Sequence, residues 1–209
     1  MTTTTPPRTN LVKGVLGRRD FAIISDMVEA GAKVLDLGCG DGELLAWLAE
    51  HKKVLARGVE ISQAQVQQCI AQGLSVYQGD IDTGLADYPD QCFDYVILSQ
   101  TLQETHRPLE VLHEMLRVGR RVIVAFPNFG YWAMRLSLLF TGRAPKSKQF
   151  PYEWHNSPNI HFLSVQDFEE LSRAEGLVVE RRIFLSGDRT IGALPNLRAQ
   201  VAVYLVRRR

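Results

Sequence analysis

The stretch Val34-Leu35-Asp36-Leu37-Gly38-Cys39-Gly40-Asp41-Gly42-Glu43 decides the fold of this chain. An apolar run containing one acid stops at three glycines on alternate positions, and an amphipathic segment, Leu44 to Glu50, follows. This pattern predicts a strand, a tight turn and a helix. Glycine permits backbone angles that side chains forbid, and the first N–H groups of a helix lack internal partners. The turn is therefore a candidate site for a polar or anionic ligand.

A second strand is predicted for Val54 to Val59, and it ends at Glu60, 20 positions after Gly40. In a βαβ unit, an acid about 20 residues past the glycines can accept hydrogen bonds from both hydroxyls of an adenosine ribose. The turn and the acid together therefore indicate a site for an adenosine-containing cofactor.

Two classes of cofactor fit such a turn. A dinucleotide site prefers G-x-G-x-x-G, whereas this chain has G-x-G-x-G with Glu43 in the place of the last glycine. The string D-L-G-C-G-D-G instead resembles motif I of the class I S-adenosylmethionine (SAM)-dependent methyltransferases. SAM carries a sulfonium cation and no phosphate, so the nearby acids Asp36, Asp41 and Glu43 suit it. The alternative is a tight turn that binds no ligand.

The composition indicates one globular α/β domain at 11–209, preceded by a flexible arm at 1–10. A net charge of +1 argues against nucleic-acid and anionic-membrane partners. The three cysteines show neither CxxC nor metal-ligand spacing, which argues against a disulfide framework or a metal site. Met1 to Asn10 lacks the apolar region of a signal peptide. We therefore expect a cytoplasmic protein.

Strands and helices alternate through Phe126, which predicts a parallel sheet. Leu177 to Leu185 and Gln200 to Val206 are predicted to pair as an antiparallel hairpin. This matches the three-layer, Rossmann-like sandwich of class I methyltransferases, whose seven strands have the order 3-2-1-4-5-7-6 and whose last strand is antiparallel.

Several helices have recognisable starts or faces. Arg18 to Ala30 has apolar residues at helical spacing, and Pro108 suits the first turn of a helix whose expected buried face is Leu109, Leu112, Met115 and Leu116. Ser62 with Gln65, and Ser164 with Asp167, are predicted to start two further helices, the first as a capping box.

The resemblance to methyltransferases implies further contacts to the cofactor. An acid after the third strand usually holds the adenine amino group, and Asp80 matches it, although a turn cap is the alternative. Ser99 and Gln100 follow the predicted fourth strand, which resembles motif IV, at the carboxyl edge of the sheet. The expected cofactor-binding set is Asp36, Gly38, Cys39, Gly40, Asp41, Glu60, Ile61, Asp80, Ile81, Ser99 and Gln100.

No catalytic residue is assigned from the sequence. The histidines near predicted cleft loops are His106, His155 and His161. A lone loop histidine is more often a hydrogen-bonded surface group than a base, and His155 is retained as a weak candidate.

The region at about 129–162 departs from the alternating pattern. Tyr131 to Phe140 is apolar and aromatic, and a loop-like stretch with three prolines and an aromatic group follows. Such long irregular insertions are more often functional than filler. A substrate lid, a partner surface and a hydrophobic plug all remain open.

Four motifs together resemble the MetW family of methionine biosynthesis proteins: G-C-G-D-G at 38–42, S-Q-T-L-Q at 99–103, F-P-N-F-G-Y-W at 126–132 and P-Y-E-W-H-N-S-P-N-I-H-F at 151–162. The resemblance implies a protein that binds SAM or S-adenosylhomocysteine and activates or regulates homoserine O-acyltransferase, the MetX-type enzyme. A homo-oligomer is compatible with it. The alternatives are a SAM-dependent methyltransferase acting on a small molecule, and a scaffold that has lost its ligand.

Overall fold

The computed structural model describes residues 17–209, with side chains from Arg19 onward. The predicted flexible arm at 1–10 lies outside the described residues. The helices are α1 Gly17–Met27, α2 Glu43–Lys52, α3 Gln63–Ala71, α4 Pro108–Val118, α5 Trp132–Thr141, α6 Val165–Ala174 and α7 Pro195–Arg198. The strands are β1 Lys33–Leu37, β2 Leu55–Glu60, β3 Val76–Gln78, β4 Phe93–Ser99, β5 Gly119–Pro127, β6 Val178–Ser186, β7 Arg189–Thr190 and β8 Val201–Arg207.

The strands form one sheet with the order β3-β2-β1-β4-β5-β8-β6-β7. The first five strands are parallel, whereas β8 pairs antiparallel with both β5 and β6. This confirms the predicted fold and hairpin. The predicted count of seven strands was wrong, because the two-residue β7 adds an eighth strand at the edge of β6. Two residues carry too little apolar pattern to be recognised as a strand.

Helices cover both faces of the sheet, because successive residues of a strand point to opposite sides. Leu35, Val96 and Val124 pack with α4 and α6 on one face. Val34 and Ile97 pack with α1 and α2 on the other face. The central strands therefore read as continuous apolar runs in the sequence, as expected for strands buried on both sides.

Two helix predictions needed correction. Leu109 is 40% exposed and Val111 is buried in its place, so the buried face of α4 is Val111, Leu112, Met115, Leu116 and Val118. The predicted capping box at Ser62 is absent, because the N–H of Ser62 donates to Oε1 of Glu60 and the serine side chain makes no cap. By contrast, Ser164 and Asp167 form a complete capping box at α6.

Asn128 fixes the start of the irregular region at about 129–162, and its role was missed from the sequence. This residue is buried directly after β5. Its Nδ2 donates to the carbonyl oxygens of Asn196 (3.0 Å) and Ala199 (2.8 Å). Its Oδ1 accepts from the N–H groups of Gly130 (3.0 Å) and Val165 (3.2 Å). One side chain thus ties the segment before α5 to the start of α6, to α7 and to the residue that follows α7.

A loop-like stretch was predicted for Thr141 to Ile160; Thr141 is the last residue of α5, and residues 142–164 contain neither helix nor strand. Within residues 17–209, no helix combines the length and apolar character needed to span a bilayer.

Candidate cofactor-binding site

The turn between β1 and α2 has left-handed backbone angles at all three glycines. Gly38 has φ 66°, Gly40 has φ 61° and Gly42 has φ 81°, a region that L side chains rarely adopt. The N–H of Gly38 donates to the carbonyl oxygen of Val59 at 2.8 Å, so the turn lies against the end of β2. These angles explain why the sequence has glycine at alternate positions.

Glu60 lies at the carboxyl end of β2 and is buried. Its Oε2 accepts a hydrogen bond from the N–H of Gly40, and its Oε1 accepts one from the N–H of Ser62, both at 2.9 Å. The arrangement fits the predicted contact to ribose hydroxyls, and it also gives Glu60 a structural role in shaping the turn.

The thiol of Cys39 is shielded from solvent. Cys39 is buried and packs with Leu45 and Cys69. Burial, with a further contribution from the nearby carboxylate of Asp36, raises the pKa of the Cys39 thiol far above its ordinary value. A thiol that stays protonated is a poor nucleophile. Cys39 therefore serves packing and contributes its backbone to the turn.

Residues at the end of α3 and directly after it hold the turn in place. The Sγ of Cys69 donates to the carbonyl oxygen of Gly40 at 3.3 Å, and Nε2 of Gln72 donates to the carbonyl oxygen of Asp41 at 3.0 Å. A Cβ on Gly42 would lie 2.4 Å from Cδ1 of Leu74. These supporting residues were missed from the sequence, because they lie about 30 positions after the turn and carry no motif.

Asp80 follows β3 and caps a short 3₁₀ helix at Ile81–Thr83. Its Oδ1 accepts from the N–H of Asp82 at 2.9 Å, which is the turn-cap alternative considered from the sequence. A contact from Asp80 to an adenine amino group remains a prediction. Ile61, beside Glu60, exposes 61% of its surface, and Ile81 is half-buried. An exposed aliphatic side chain beside an acid suits the apolar face of a nucleoside base.

The chain leaves β4 through a strained residue. Gln100 has φ 56°, and its N–H donates to the carbonyl oxygen of Ala125 at 2.7 Å. Non-glycine residues in this region are uncommon and are found preferentially at functional sites. The Oγ1 of Thr101 donates to the carbonyl oxygen of Ser99 at 3.0 Å. Ser99 is thus the last residue of β4, and Gln100 begins the irregular turn that follows it.

Gln103, the last residue of the S-Q-T-L-Q motif, is buried in this turn, and the motif predicted no individual role for it. Its Nε2 donates to the carbonyl oxygen of Gln100 at 2.9 Å, and its own carbonyl oxygen accepts from the N–H groups of Ile160 and His161. Within the described chain, Oε1 of Gln103, Nε2 of Gln100 and Nε2 of His161 are buried and make no hydrogen bond. Buried polar atoms of this kind normally have partners.

The predicted base candidate occupies a different environment. His155 is exposed, and its ring packs edge-on against Trp154 at 5.4 Å. His161, by contrast, is the histidine whose backbone contacts Gln103. The structure thus joins His161 rather than His155 to the turn after β4, and the catalytic role considered for His155 remains a prediction.

The aromatic residues of the region at about 129–162 divide into a buried and an exposed group. Phe150 is buried and packs edge-on against Phe129 at 5.6 Å, while Phe162 packs against Phe129 at 4.6 Å. Trp154 is 80% exposed. Phe150 is therefore an internal contact, which removes it from the surface available to a partner.

The expected cofactor residues lie at or just after the carboxyl ends of β1, β2, β3 and β4, which are neighbours in the sheet. Because these strands are parallel, their carboxyl ends meet at one edge, where open α/β sheets bind ligands. Left-handed glycines, a buried carboxylate, an exposed isoleucine and an acid-capped turn are the groups that an adenosyl ligand needs. The residues present therefore fit such a cofactor.

Residues 18–206 match the protein family described as methionine biosynthesis protein MetW. A bifunctional methionine biosynthesis protein MetXA/MetW from Rhodopirellula baltica is 36% identical over 197 residues, covering 88% of this chain and 32% of that protein. Ajmaline N-methyltransferase from Rauvolfia serpentina is 32% identical over 121 residues, covering 54% of this chain and 41% of that protein. The aligned part is thus well under half the length of either relative.

Solved structures share this fold at low sequence identity. A chain from the complex between the Haloferax volcanii Trm112 methyltransferase activator and a methyltransferase superposes with a TM-score of 0.71 at 20% identity, over 99% of both chains. A SAM-dependent methyltransferase from Archaeoglobus fulgidus superposes with a TM-score of 0.69 at 14% identity, over 92% of this chain and 93% of that one. These similarities establish the methyltransferase fold.

Proposed function

This chain belongs to the MetW family of methionine biosynthesis proteins, and we propose that it binds SAM and activates or regulates homoserine O-acyltransferase. The observation that carries the proposal is the relative from Rhodopirellula baltica, whose name assigns a MetXA and a MetW part to one chain. Two proteins that are joined in one chain are held at a high effective local concentration. A homologous pair that is not joined would require a contact surface instead.

The cofactor assignment rests on the turn and on Glu60. Glu60 would hold the ribose, the main chain of Gly38 and Gly40 would lie against the adenosyl group, and Asp80 would approach the base. SAM supplies an activated methyl group when bound, and it is also a product made from methionine. A protein of methionine biosynthesis that responds to SAM would therefore close a feedback loop.

Regulation through SAM has one thermodynamic requirement. A ligand shifts an equilibrium only by its difference in affinity for the two states. If SAM changes the affinity of this protein for the acyltransferase by some factor, then the acyltransferase must change the affinity of this protein for SAM by the same factor. Both sides of this relation can be measured.

The decisive experiment is to assay homoserine O-acyltransferase from the same genome with and without this protein, across a titration of SAM. We expect the specific activity to change when the protein is added and to change again with SAM. S-adenosylhomocysteine should be titrated in parallel. An activity that is the same at every ratio of the two proteins, with and without SAM, would overturn the proposal.

A second candidate function is methyl transfer to a small molecule, and the unpaired atoms near Gln103 favour it. An acceptor with a hydroxyl or amino group would satisfy Oε1 of Gln103, and Nε2 of His161 would be the group that takes its proton. The test is transfer of a labelled methyl group from SAM to a panel of hydroxy and amino acids, including homoserine. If no acceptor gains label while the acyltransferase responds, only the first function stands.

We also propose that this protein works in the cytoplasm beside its biosynthetic partner. The free thiols of Cys39, Cys69 and Cys92 support a reducing compartment. We further propose that the region at about 129–162 of this single domain contacts that partner.

A further inference from the structure

Helix α5 exposes the face that a surface helix normally buries. Trp132, Leu136, Leu139 and Phe140 recur at positions i, i+4, i+7 and i+8, which places them on one side of the helix. All four are exposed, with Leu139 at 73% and Phe140 at 78%. Met134 is the buried residue of this helix. We call these four side chains the α5 stripe.

A groove adjoins the α5 stripe. It has a volume of about 240 Å³ and lies between α5 and the start of α6, with Phe129, Met134, Leu138 and Phe162 among its walls. Leu138 and Phe162 are both more than one-third exposed. Leu138, which lines the groove, precedes Leu139 of the stripe by one residue, about 100° around the helix, so the stripe and the groove lie on neighbouring sides of α5.

The apolar area of this surface matches one side of a protein interface. The exposed parts of the α5 stripe, Leu138 and Phe162 amount to roughly 500–600 Å², taking about 200 Å² for an aromatic side chain and somewhat less for a leucine. A standard interface covers about 800 Å² per partner, of which somewhat more than half is apolar. An isolated patch of this size commonly marks a contact site.

The charged residues of the segment that carries α5 are all positive, while Asp167, which lines the groove, is hydrogen-bonded to Ser164. Residues 129–152 contain Arg135, Arg143, Lys146 and Lys148 but no aspartate or glutamate, although the whole chain has a net charge of only +1. Lys146 pairs with Glu153. Arg143 and Lys148 form no ion pair with residues 17–209. The fitting partner therefore presents an apolar patch bordered by carboxylates.

We infer that the α5 stripe and its groove form the docking surface for homoserine O-acyltransferase, an inference that rests on the proposed function. The concave groove and the segregated apolar and basic groups favour a shaped protein partner over a lipid surface, which requires no cavity. The position also suits regulation. Phe162 lines the groove, and the preceding residue, His161, donates its N–H to Gln103 in the turn after β4.

The test is the double variant Leu139→Glu with Phe140→Glu, measured for binding to purified acyltransferase by surface plasmon resonance. Leu55→Glu is the matched control, because Leu55 is 64% exposed but lies at the amino end of β2. We expect the double variant to lose at least about tenfold in affinity for the acyltransferase, as at an apolar hot spot. SAM affinity by calorimetry should stay within about twofold, and the control should bind normally.

A second variant tests the charged border. Arg143→Glu with Lys148→Glu should slow association with the acyltransferase and weaken its dependence on salt, because border charges act mainly on the encounter rate. Its control is Arg189→Glu with Arg198→Glu, two exposed arginines outside the segment 129–152.

The other outcomes separate the two proposals. If the double variant binds the acyltransferase as tightly as the parent, the docking surface is wrong and the proposed function stands. If the parent neither binds nor affects the acyltransferase, both proposals fail. Sedimentation that shows stripe-dependent dimers with unchanged acyltransferase binding would assign the stripe to a second copy. Stripe-dependent binding to vesicles of phosphatidylcholine with one-fifth phosphatidylserine, without acyltransferase binding, would assign it to a membrane surface. Either assignment overturns the docking proposal.

Discussion

The backbone N–H of Gly40 donates a 2.9 Å hydrogen bond to Oε2 of Glu60, 20 residues later in the chain. This bond joins the turn after β1 to the end of β2, and a second bond, from Gly38 to Val59, reinforces the same contact. The acid expected to hold a ribose thus also holds the glycine turn in its left-handed shape. A site prepared in this way needs little rearrangement when a ligand binds, which favours affinity.

Glu60→Gln should weaken SAM binding and lower stability together. A glutamine amide has one oxygen and one NH₂ group, so it cannot accept hydrogen bonds from both Gly40 and Ser62 as the carboxylate does. We expect affinity for SAM to fall by about 1–3 kcal/mol, the usual cost of leaving buried groups unpaired. Isothermal titration calorimetry measures the affinity, and urea unfolding measures the stability.

Glu50→Gln is the control for this variant, since Glu50 is exposed on α2. An unchanged affinity for SAM in Glu60→Gln would contradict the assignment of Glu60 to the cofactor.

Gly42→Ala and Gly73→Ala separate backbone strain from crowding. Gly42 has φ 81° and Gly73 has φ 77°, so alanine is similarly strained at both positions. A Cβ at Gly42 would meet Leu74 at 2.4 Å and Cys69 at 2.9 Å, whereas a Cβ at Gly73 would meet no atom within 4 Å. We expect a loss of about 1 kcal/mol for Gly73→Ala and about 2–4 kcal/mol for Gly42→Ala.

The affinity for SAM should also differ between these two variants. Gly42 belongs to the turn and Gly73 does not, so only Gly42→Ala should weaken SAM binding. Equal effects on stability and on SAM affinity in both variants would mean that the turn tolerates a side chain.

The sequence was most informative where a residue type answers a local backbone requirement. The glycines at 38, 40 and 42 were recognisable because left-handed angles demand glycine, and Glu60 because the length of a βα unit sets its distance from the turn. The central strands were recognisable as apolar runs, because a strand buried on both faces has few polar residues, whereas their order in the sheet came from the resemblance to class I methyltransferases.

Residues that act through tertiary contacts could not be recognised in this way. Asn128 bonds to residues 68 and 71 positions away, and neither its neighbours nor its spacing indicates this. The pairing of His161 with Gln103 depends on how the loop folds back. Ser62 and Gln65 match the sequence pattern of a capping box. In the structure, however, the N–H of Ser62 donates to Glu60. The two-residue pattern does not include Glu60, so it could not predict this hydrogen bond.

Asn128→Ala should destabilise the protein strongly. The change removes four hydrogen bonds at a buried position and leaves two carbonyl oxygens and two N–H groups to find new partners. A cost of about 3 kcal/mol or more is expected, since each buried group left unpaired costs about 1–3 kcal/mol and water can satisfy some of them. Urea unfolding measures it, with the exposed Asn156→Ala as the control. A loss no larger than that of the control would show that Asn128 does not hold this junction.

Asp20→Asn should stabilise the protein at high pH more than at low pH. Asp20 is buried in α1, its Oδ1 makes no hydrogen bond with the described chain, and desolvation raises the pKa of its carboxyl from 3.8 to about 7. The folded state therefore binds this proton more tightly than the unfolded state, so the free energy of unfolding falls as pH rises from about 4 to about 7.

The Asp20→Asn variant cannot ionise at this position, so its stability does not fall in this way. The stability difference between variant and parent should grow by about 2 kcal/mol between pH 5 and pH 8, because one pKa unit corresponds to about 1.4 kcal/mol. Urea unfolding at both pH values measures this, with Asp26→Asn on the exposed side of α1 as the control, and a difference independent of pH would show that Asp20 ionises as readily in the folded chain as in the unfolded one.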